Sequence, residues 1–378
     1  MDALILSCST GGGHNAAGLA IKKELETRGH HVVMMDPYEL VSHKLAVQVG
    51  NTYVKMVQRM PGLFGLLYSL GGLVRRIPGK SPVYYVNIAV AKKLQAYLSG
   101  HPVDVILMPH LFPAELVTYL KRSGEILPLT VFVATDYACI PFTEETDCEF
   151  YVVPGDAQVK DFTKRKIKKE YILPFGIPVN PEFDEKIDRQ EARLLLDLVP
   201  GEFYVLLTGG SIGAGHITRT IRELMAWMNS KRPDGHVIVV CGNNERLYRK
   251  LKYSYGDKLI LLKKTERMAL YMKACDLFIS KPGGLSSTEA AVVGVPYVQV
   301  SPIPGCESKN MRYFSKKGMS IGVKHPENGL RRAMDKLSDL DLAEQMLAKQ
   351  KKGVPANARI KICDWLEQTV AGRQKCQK

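Results

Sequence analysis

The chain has 378 residues, 46% hydrophobic and 24% charged, a globular composition too long for one ordinary core and suited to two α/β domains. Lys and Arg number 52 against 38 Asp and Glu, and the resulting +14 favours an anionic partner: nucleic acid, acidic lipid headgroups or a phosphorylated substrate. The opening MDALILSCSTGGGH lacks the basic n-region of a signal peptide, no apolar run reaches the ~20 residues that cross a bilayer, and the eight cysteines are scattered without a C-x-x-C pair. A disulfide framework and a zinc ribbon are thereby disfavoured, and a reducing cytosol is the expected compartment.

In chain order, residues 3–7 (ALILS) read as a buried strand, followed by a glycine-rich turn, a helix from about Asn15 to Arg28, and a strand at 30–36. Residues 54–98 break that rhythm by mixing Leu, Phe, Tyr and Met with Lys55, Arg59, Arg75, Arg76, Lys80, Lys92 and Lys93. Apolar bulk such as Phe64 and Leu67 edged by cations fits an interfacial membrane segment, and it equally fits a buried helical subdomain. Strands resume at 104–109, 129–136, 150–154 and 171–175; nearly all-apolar strands alternating with helices imply a parallel sheet covered on both faces. GIPVNP (176–181) suits a crossing between domains, and after a helix around Gln190 to Asp197 a second series of strands follows at 203–210, 236–242, 258–264, 276–282 and 297–301. The expected architecture is two Rossmann-like, doubly wound α/β domains facing a cleft, with ligands at the carboxyl ends of the strands. The boundaries read as 1–177, 178–355 and a C-terminal helix and tail at 356–378 placed against the N-terminal domain.

Three strand ends carry the chemistry. Ser-Thr-Gly-Gly-Gly-His (9–14) precedes a helix, so Gly12 and Gly13 let backbone N–H groups approach a ligand, and His14 has the near-neutral pKa a general base needs. A structural turn with an incidental histidine is the plainer alternative. The loop Gly209-Gly210-Ser211-Ile212-Gly213-Ala214-Gly215 lacks the Lys-[Ser/Thr] of a Walker A motif and suits a diphosphate held by backbone donors without a mandatory metal. The segment Ser280 to Ala291 offers Lys281, Gly283, Gly284, Leu285, Ser286 and Ser287 at a turn and helix start, with Glu289 read into the first helical turn. A carboxylate there can accept from two vicinal hydroxyls, as ribose recognition requires. After one more strand, Gly305 is followed by Glu307 and Asn310, three apart on one helix face and able to grip sugar hydroxyls. Asp339-Leu340-Asp341 spells a metal-binding D-x-D but sits in a polar helical stretch, where a helix cap is the expected role.

Together these residues resemble the GT-B glycosyltransferases related to monogalactosyldiacylglycerol synthase and processive diacylglycerol glucosyltransferase. The likeness covers nearly the whole chain in order: Gly-Gly-Gly-His at 11–14, Thr135-Asp136-Tyr137, Gly176-Ile177-Pro178-Val179, the loop at 209–215, Lys-Pro-Gly-Gly at 281–284 with Glu289, and Pro-Ile-Pro-Gly at 302–305 with Glu307 and Asn310. It implies inverting transfer of a hexose from a UDP-sugar to diacylglycerol, with the UDP-sugar as donor substrate and no further cofactor or metal. His14 would serve as the base or position the acceptor with Asp136 nearby, and the C-terminal loops would hold UDP, with Glu289 on the ribose. Arg75, Arg76, Phe64 and Leu67 would dock on the anionic inner face of the cell membrane. Two departures stand out: Cys306 occupies the place of a family glutamine, and Ala138-Cys139-Ile140-Pro141 stands where the family tends to carry His and Trp. Rival readings are a transferase with another lipid-linked or soluble acceptor, an epimerase-like enzyme of the same fold, and a non-catalytic membrane-associated nucleotide-binding protein. A nucleic-acid partner is disfavoured because the basic residues are dispersed and no recognised motif appears. The oligomeric state stays open.

Overall fold

The structure is a computed structural model that describes residues 1–8, 12–50, 82–210 and 217–377. The candidate membrane residues Phe64, Leu67, Arg75 and Arg76, and the loop residues Ser211 and Gly213, lie outside the described residues. The first elements are β1 (Asp2–Leu6), α1 (Gly12–Thr27), β2 (His31–Met35), α2 (Pro82–Gly100), β3 (Val105–Met108), α3 (Leu111–Arg122), β4 (Leu129–Val133), β5 (Phe150–Val152), α4 (Asp156–Thr163) and β6 (Ile172–Leu173). Short helices α5 (Pro181–Asp184) and α6 (Arg189–Leu194) lead to β7 (Tyr204–Thr208), α7 (Ile217–Lys231), β8 (His236–Val240), α8 (Glu245–Tyr255) and β9 (Ile260–Leu262). The series continues with α9 (Met268–Ala274), β10 (Leu277–Ser280), α10 (Gly284–Val293), β11 (Tyr297–Val300), α11 (Cys306–Lys317), β12 (Ile321–Val323), α12 (Pro326–Leu337), α13 (Leu340–Gly353) and α14 (Ala358–Gln377). Two compact units result: Met1–Asn180 with Asn357–Lys378, and Pro181–Ala356.

In the first unit the strands are all parallel in the order β2-β1-β3-β4-β5-β6. Alternation along each strand sends side chains to opposite faces. Leu4, Leu6, Ile106 and Met108 pack with Leu94 of α2 and Val117 of α3, while Ala3, Ile5, Val105 and Leu107 pack with Ile21 and Leu25 of α1 and with Ile362 and Leu366 of α14. A sheet covered on both faces needs apolar residues at every position, which is why these strands read as unbroken hydrophobic runs. At Gly18 a side chain would lie 3.0 Å from the Met34 thioether methyl and 3.1 Å from Ile5, so glycine lets α1 seat closely on β1 and β2.

The second unit has the parallel order β12-β11-β10-β7-β8-β9, the Rossmann arrangement in which the chain winds outward from β7 and returns to β10 on its other side. Trp227 and Ile221 of α7, Leu251 of α8 and Leu330 of α12 cover one face of this sheet. Every strand anticipated from the apolar runs is present. The structure adds β12, whose three residues carry a central glycine and no readable period, and it starts α1 at Gly12 rather than near Asn15. Among the described residues no helix is long and apolar enough to cross a membrane.

Candidate active site

In a parallel sheet that winds both ways from one strand, the crevice opens at the carboxyl ends where the order reverses. In the first unit that point lies between β1 and β3, and it gathers His14 after β1, Pro109 and His110 after β3, and Thr135 and Asp136 after β4. His14 is the third residue of α1, with Gly12 and Gly13 ahead of it. Its Nδ1 stands 2.8 Å from the Pro109 carbonyl oxygen, which can only accept, so Nδ1 carries the proton and Nε2 keeps the lone pair. The Thr135 hydroxyl lies 2.9 Å from the same Nδ1, and no described residue hydrogen-bonds to Nε2. Burial pulls the His14 pKa below the usual imidazole value, against the opposing pull of Asp136 and the Pro109 hydrogen bond. The ring is therefore neutral at pH 7, oriented by its Nδ1 side and basic at Nε2.

Sequence reasoning missed His110. Its ring meets that of His14 edge-on with centroids 4.5 Å apart, and it is 6% exposed. The Phe112 N–H donates to His110 Nδ1 at 3.1 Å, which caps α3 and leaves the His110 proton on Nε2. Burial and then the neighbouring His14 hold its pKa well below the usual value. The available signal was a histidine directly after an all-apolar strand, at the end where ligands bind. His14, Thr135, Asp136 and Ile140 line a pocket with room for about one water-sized molecule, walled by Phe132 and Phe162.

In the second unit the reversal lies between β7 and β10, and the register pairs Thr208 with Ser280 and Ser280 with Gln299. Gly209, Lys281 and the Ser301 to Gly305 turn thus start side by side. Gly210 donates its N–H to Thr208 Oγ1 at 3.1 Å, closing its turn. Lys281 Nζ lies 3.1 Å from Glu307 Oε1, both side chains mostly buried, and Glu307 Oε2 accepts from the Ile303 N–H at 2.8 Å. Neither partner of this pair predicts the other in the sequence, because they stand 26 residues apart. Gly305, at φ 112° and ψ −123°, makes the turn into α11, a conformation in the region that favours glycine.

Two expected ligand contacts are corrected. Ser287 and Asn310 are 0% exposed and face inward. Ser287 Oγ accepts from Gln299 Nε2 at 2.9 Å, Ser320 Oγ donates to Gln299 Oε1 at 2.9 Å, and the Tyr297 hydroxyl lies 2.8 Å from Ser280 Oγ and 3.2 Å from the Lys281 carbonyl. Asn310 Nδ2 donates to the Pro282 carbonyl at 3.0 Å. These residues brace the loop at 281–284 from beneath. Helical spacing shows which residues share a face, but not that this face turns inward.

Glu289 is also corrected in place: it lies in the second turn of α10, past the reach of the helix terminus. Part of its side chain remains open to solvent, yet the packing around its carboxylate pushes its pKa up to about 7. No described residue hydrogen-bonds to that carboxylate. Gly283, at the N-cap position, and Ser286 are half-buried, Gly284 and Leu285 are buried, and the first-turn N–H groups of α10 lack intrahelical acceptors. Asp339 caps α13 by accepting from the N–H groups of Asp341 and Leu342 at 3.0 and 3.3 Å, so the D-x-D serves as a helix cap.

Residues 14–179 match the family profile of monogalactosyldiacylglycerol (MGDG) synthase, and residues 204–362 match that of the glycosyltransferase family 28 C-terminal domain. Together these two glycosyltransferase profiles span most of the chain, which is similar to both families. The chain is 26% identical over 376 residues to the processive diacylglycerol beta-glucosyltransferase of Bacillus licheniformis, covering 97% of this chain and 94% of that protein. With the enzyme of the same description from Bacillus subtilis it shares 27% over 348 residues, 91% of this chain and 88% of the relative. Among solved structures, MurG of Acinetobacter baumannii superposes with a TM-score of 0.62 at 15% identity, over 97% of this chain and 99% of MurG. That likeness, together with the two parallel sheets, shows the GT-B fold.

Proposed function

We propose that the chain transfers a hexose, glucose or galactose, from a UDP-sugar to the free hydroxyl of 1,2-diacylglycerol with inversion, at an anionic membrane surface. The observation that carries the reading is the fixed tautomer of His14, whose Nε2 is unprotonated and free of described partners. The acceptor hydroxyl gives its proton to Nε2 as its oxygen attacks the anomeric carbon, and the bond from that carbon to the UDP oxygen breaks. Asp136, which raises the His14 pKa, stabilises the imidazolium that forms. Lys281 and the first-turn N–H groups of α10 meet the diphosphate charge, and Glu289 accepts from the ribose hydroxyls. Among the described residues no three His, Cys, Asp or Glu side chains gather as metal ligands. The lipid acceptor is supported by the relatives' descriptions as diacylglycerol glucosyltransferases. Cys306, half-exposed at the start of α11, offers the sugar a weaker hydrogen-bond partner than an amide would, so hexose preference is set elsewhere in the loop.

His14→Ala tests the reading. Turnover should fall ~100-fold or more with UDP affinity unchanged. The parent should also keep full turnover down to pH values below the usual imidazole range, because the base must be deprotonated and burial lowers its pKa. Near-parental turnover in the variant would reduce His14 to a turn residue.

A further inference from the structure

Helix α8 divides cleanly into two faces. Leu247, Tyr248, Leu251 and Tyr255 pack on the core of the second unit. Arg246, Arg249, Lys250 and Tyr253 recur at i, i+3, i+4 and i+7 and form the opposite face. Tyr253 is 95% exposed at the crest of that face, with the three cations around it. A tyrosine so exposed gains nothing from the fold, because its ring touches no core.

The surroundings extend the charge. Of residues 245–267, eight are Lys or Arg and three are Asp or Glu. Two of the three acids are already engaged: Glu245 with Lys263 at 3.2 Å and Arg249 at 3.4 Å, and Asp257 with Lys252 at 3.1 Å. Arg246, Lys250 and Lys264 have no ion-pair partner among the described residues. Lys263, which also sits 5.2 Å over the Tyr248 ring, and the exposed Lys264 follow β9, the edge strand of the sheet.

We propose that the outer face of α8, with Lys263 and Lys264 at the end of β9, is a docking surface for an anionic phospholipid bilayer. Cations at this spacing meet headgroup phosphates, and a tyrosine ring suits the headgroup level, where one end of the side chain is apolar and the other wet. The surface is a convex helix face with a single ring at its crest. A single-stranded nucleic acid would instead need a groove for its backbone and successive aromatic platforms. At eleven residues α8 lies on a membrane and does not span it. This docking does not depend on diacylglycerol being the acceptor, and its test does not require transfer activity.

The full-length protein is sedimented with vesicles of phosphatidylcholine containing phosphatidylglycerol, and with vesicles of phosphatidylcholine alone. The variant Arg246→Glu/Arg249→Glu/Lys250→Glu should partition at least about tenfold more weakly onto the anionic vesicles while keeping parental UDP affinity. Independently, the indole introduced by Tyr253→Trp should shift its emission to the blue on anionic vesicles and be quenched by brominated lipid. Equal partitioning of parent and charge-reversed protein would overturn the proposal. So would an indole that stays solvated while the protein is vesicle-bound, or a charge reversal that abolishes oligonucleotide binding and spares vesicle binding.

Discussion

Glu289 shows how one side chain's surroundings become a measurable property. Its carboxylate sits in packing that raises its pKa to about 7, so in the free protein near neutrality it is part protonated and part charged. Ribose hydroxyls donate to the charged form, which means nucleotide binding selects the carboxylate and expels the proton. Uridine affinity should therefore be level above pH 8 and fall about tenfold for each pH unit below 7. In Glu289→Gln this dependence should vanish, and Glu289→Ala should cost ~2 kcal/mol of UDP binding. Titration calorimetry in buffers of different ionisation enthalpy reads the released proton directly. A pH-independent uridine affinity in the parent between pH 6 and 8 would remove Glu289 from the ribose site. His14 and His110 illustrate the same physics for bases: both are held neutral by burial, and backbone groups decide which nitrogen carries each proton.

At the scale of elements, the strands were legible because burial on both faces forces unbroken apolar runs, and the loops were legible because glycines cluster at strand ends. What the sequence could not show were contacts between distant segments. The buried chain from Ser320 through Gln299 and Ser287 joins the residue before β12 to β11 and α10, and Tyr297 links it to the Lys281 carbonyl. Single polar residues in apolar strands, such as Gln299 in Tyr297–Val300, were its only trace. Each member is satisfied by another, so removing the middle one strands the Ser320 hydroxyl in a dry core and leaves Ser287 only a long 3.5 Å contact with the Tyr297 hydroxyl. Gln299→Leu should lower stability by ~2 to 3 kcal/mol in urea unfolding and loosen the 281–284 loop enough to weaken UDP binding as well. An unchanged midpoint would mean the network adds nothing. His110 escaped notice for a related reason, since Pro109-His110-Leu111 carries no glycine to mark it.

Over the whole molecule, the last helix completes the first unit after the chain has built the second. Ile362, Cys363 and Leu366 of α14 are fully buried against Ile21 and Leu25 of α1. Around them Arg28 pairs with Asp364 at 2.7 Å and Glu367 at 3.0 Å, and His30 lies 2.7 Å from Glu367. Asp364 and Glu367 are 52% and 37% exposed, so these pairs are largely screened and contribute at most ~1 kcal/mol each. Apolar burial decides the matter: Leu366→Ala should cost ~2 to 5 kcal/mol, while Glu367→Ala should stay near 1. Denaturant unfolding of both variants compares the two terms, and the reverse ranking would mean that ion pairs hold α14. The central claim, sugar transfer from a UDP-sugar to diacylglycerol, is tested most directly by UDP release on vesicles with and without diacylglycerol. UDP-glucose, UDP-galactose and UDP-N-acetylglucosamine are offered separately, with the lipids extracted afterwards. The account predicts that UDP-glucose or UDP-galactose yields UDP only with diacylglycerol present, in step with a new glycolipid. UDP release that ignores diacylglycerol, or a sugar nucleotide changed with no glycolipid formed, would contradict it.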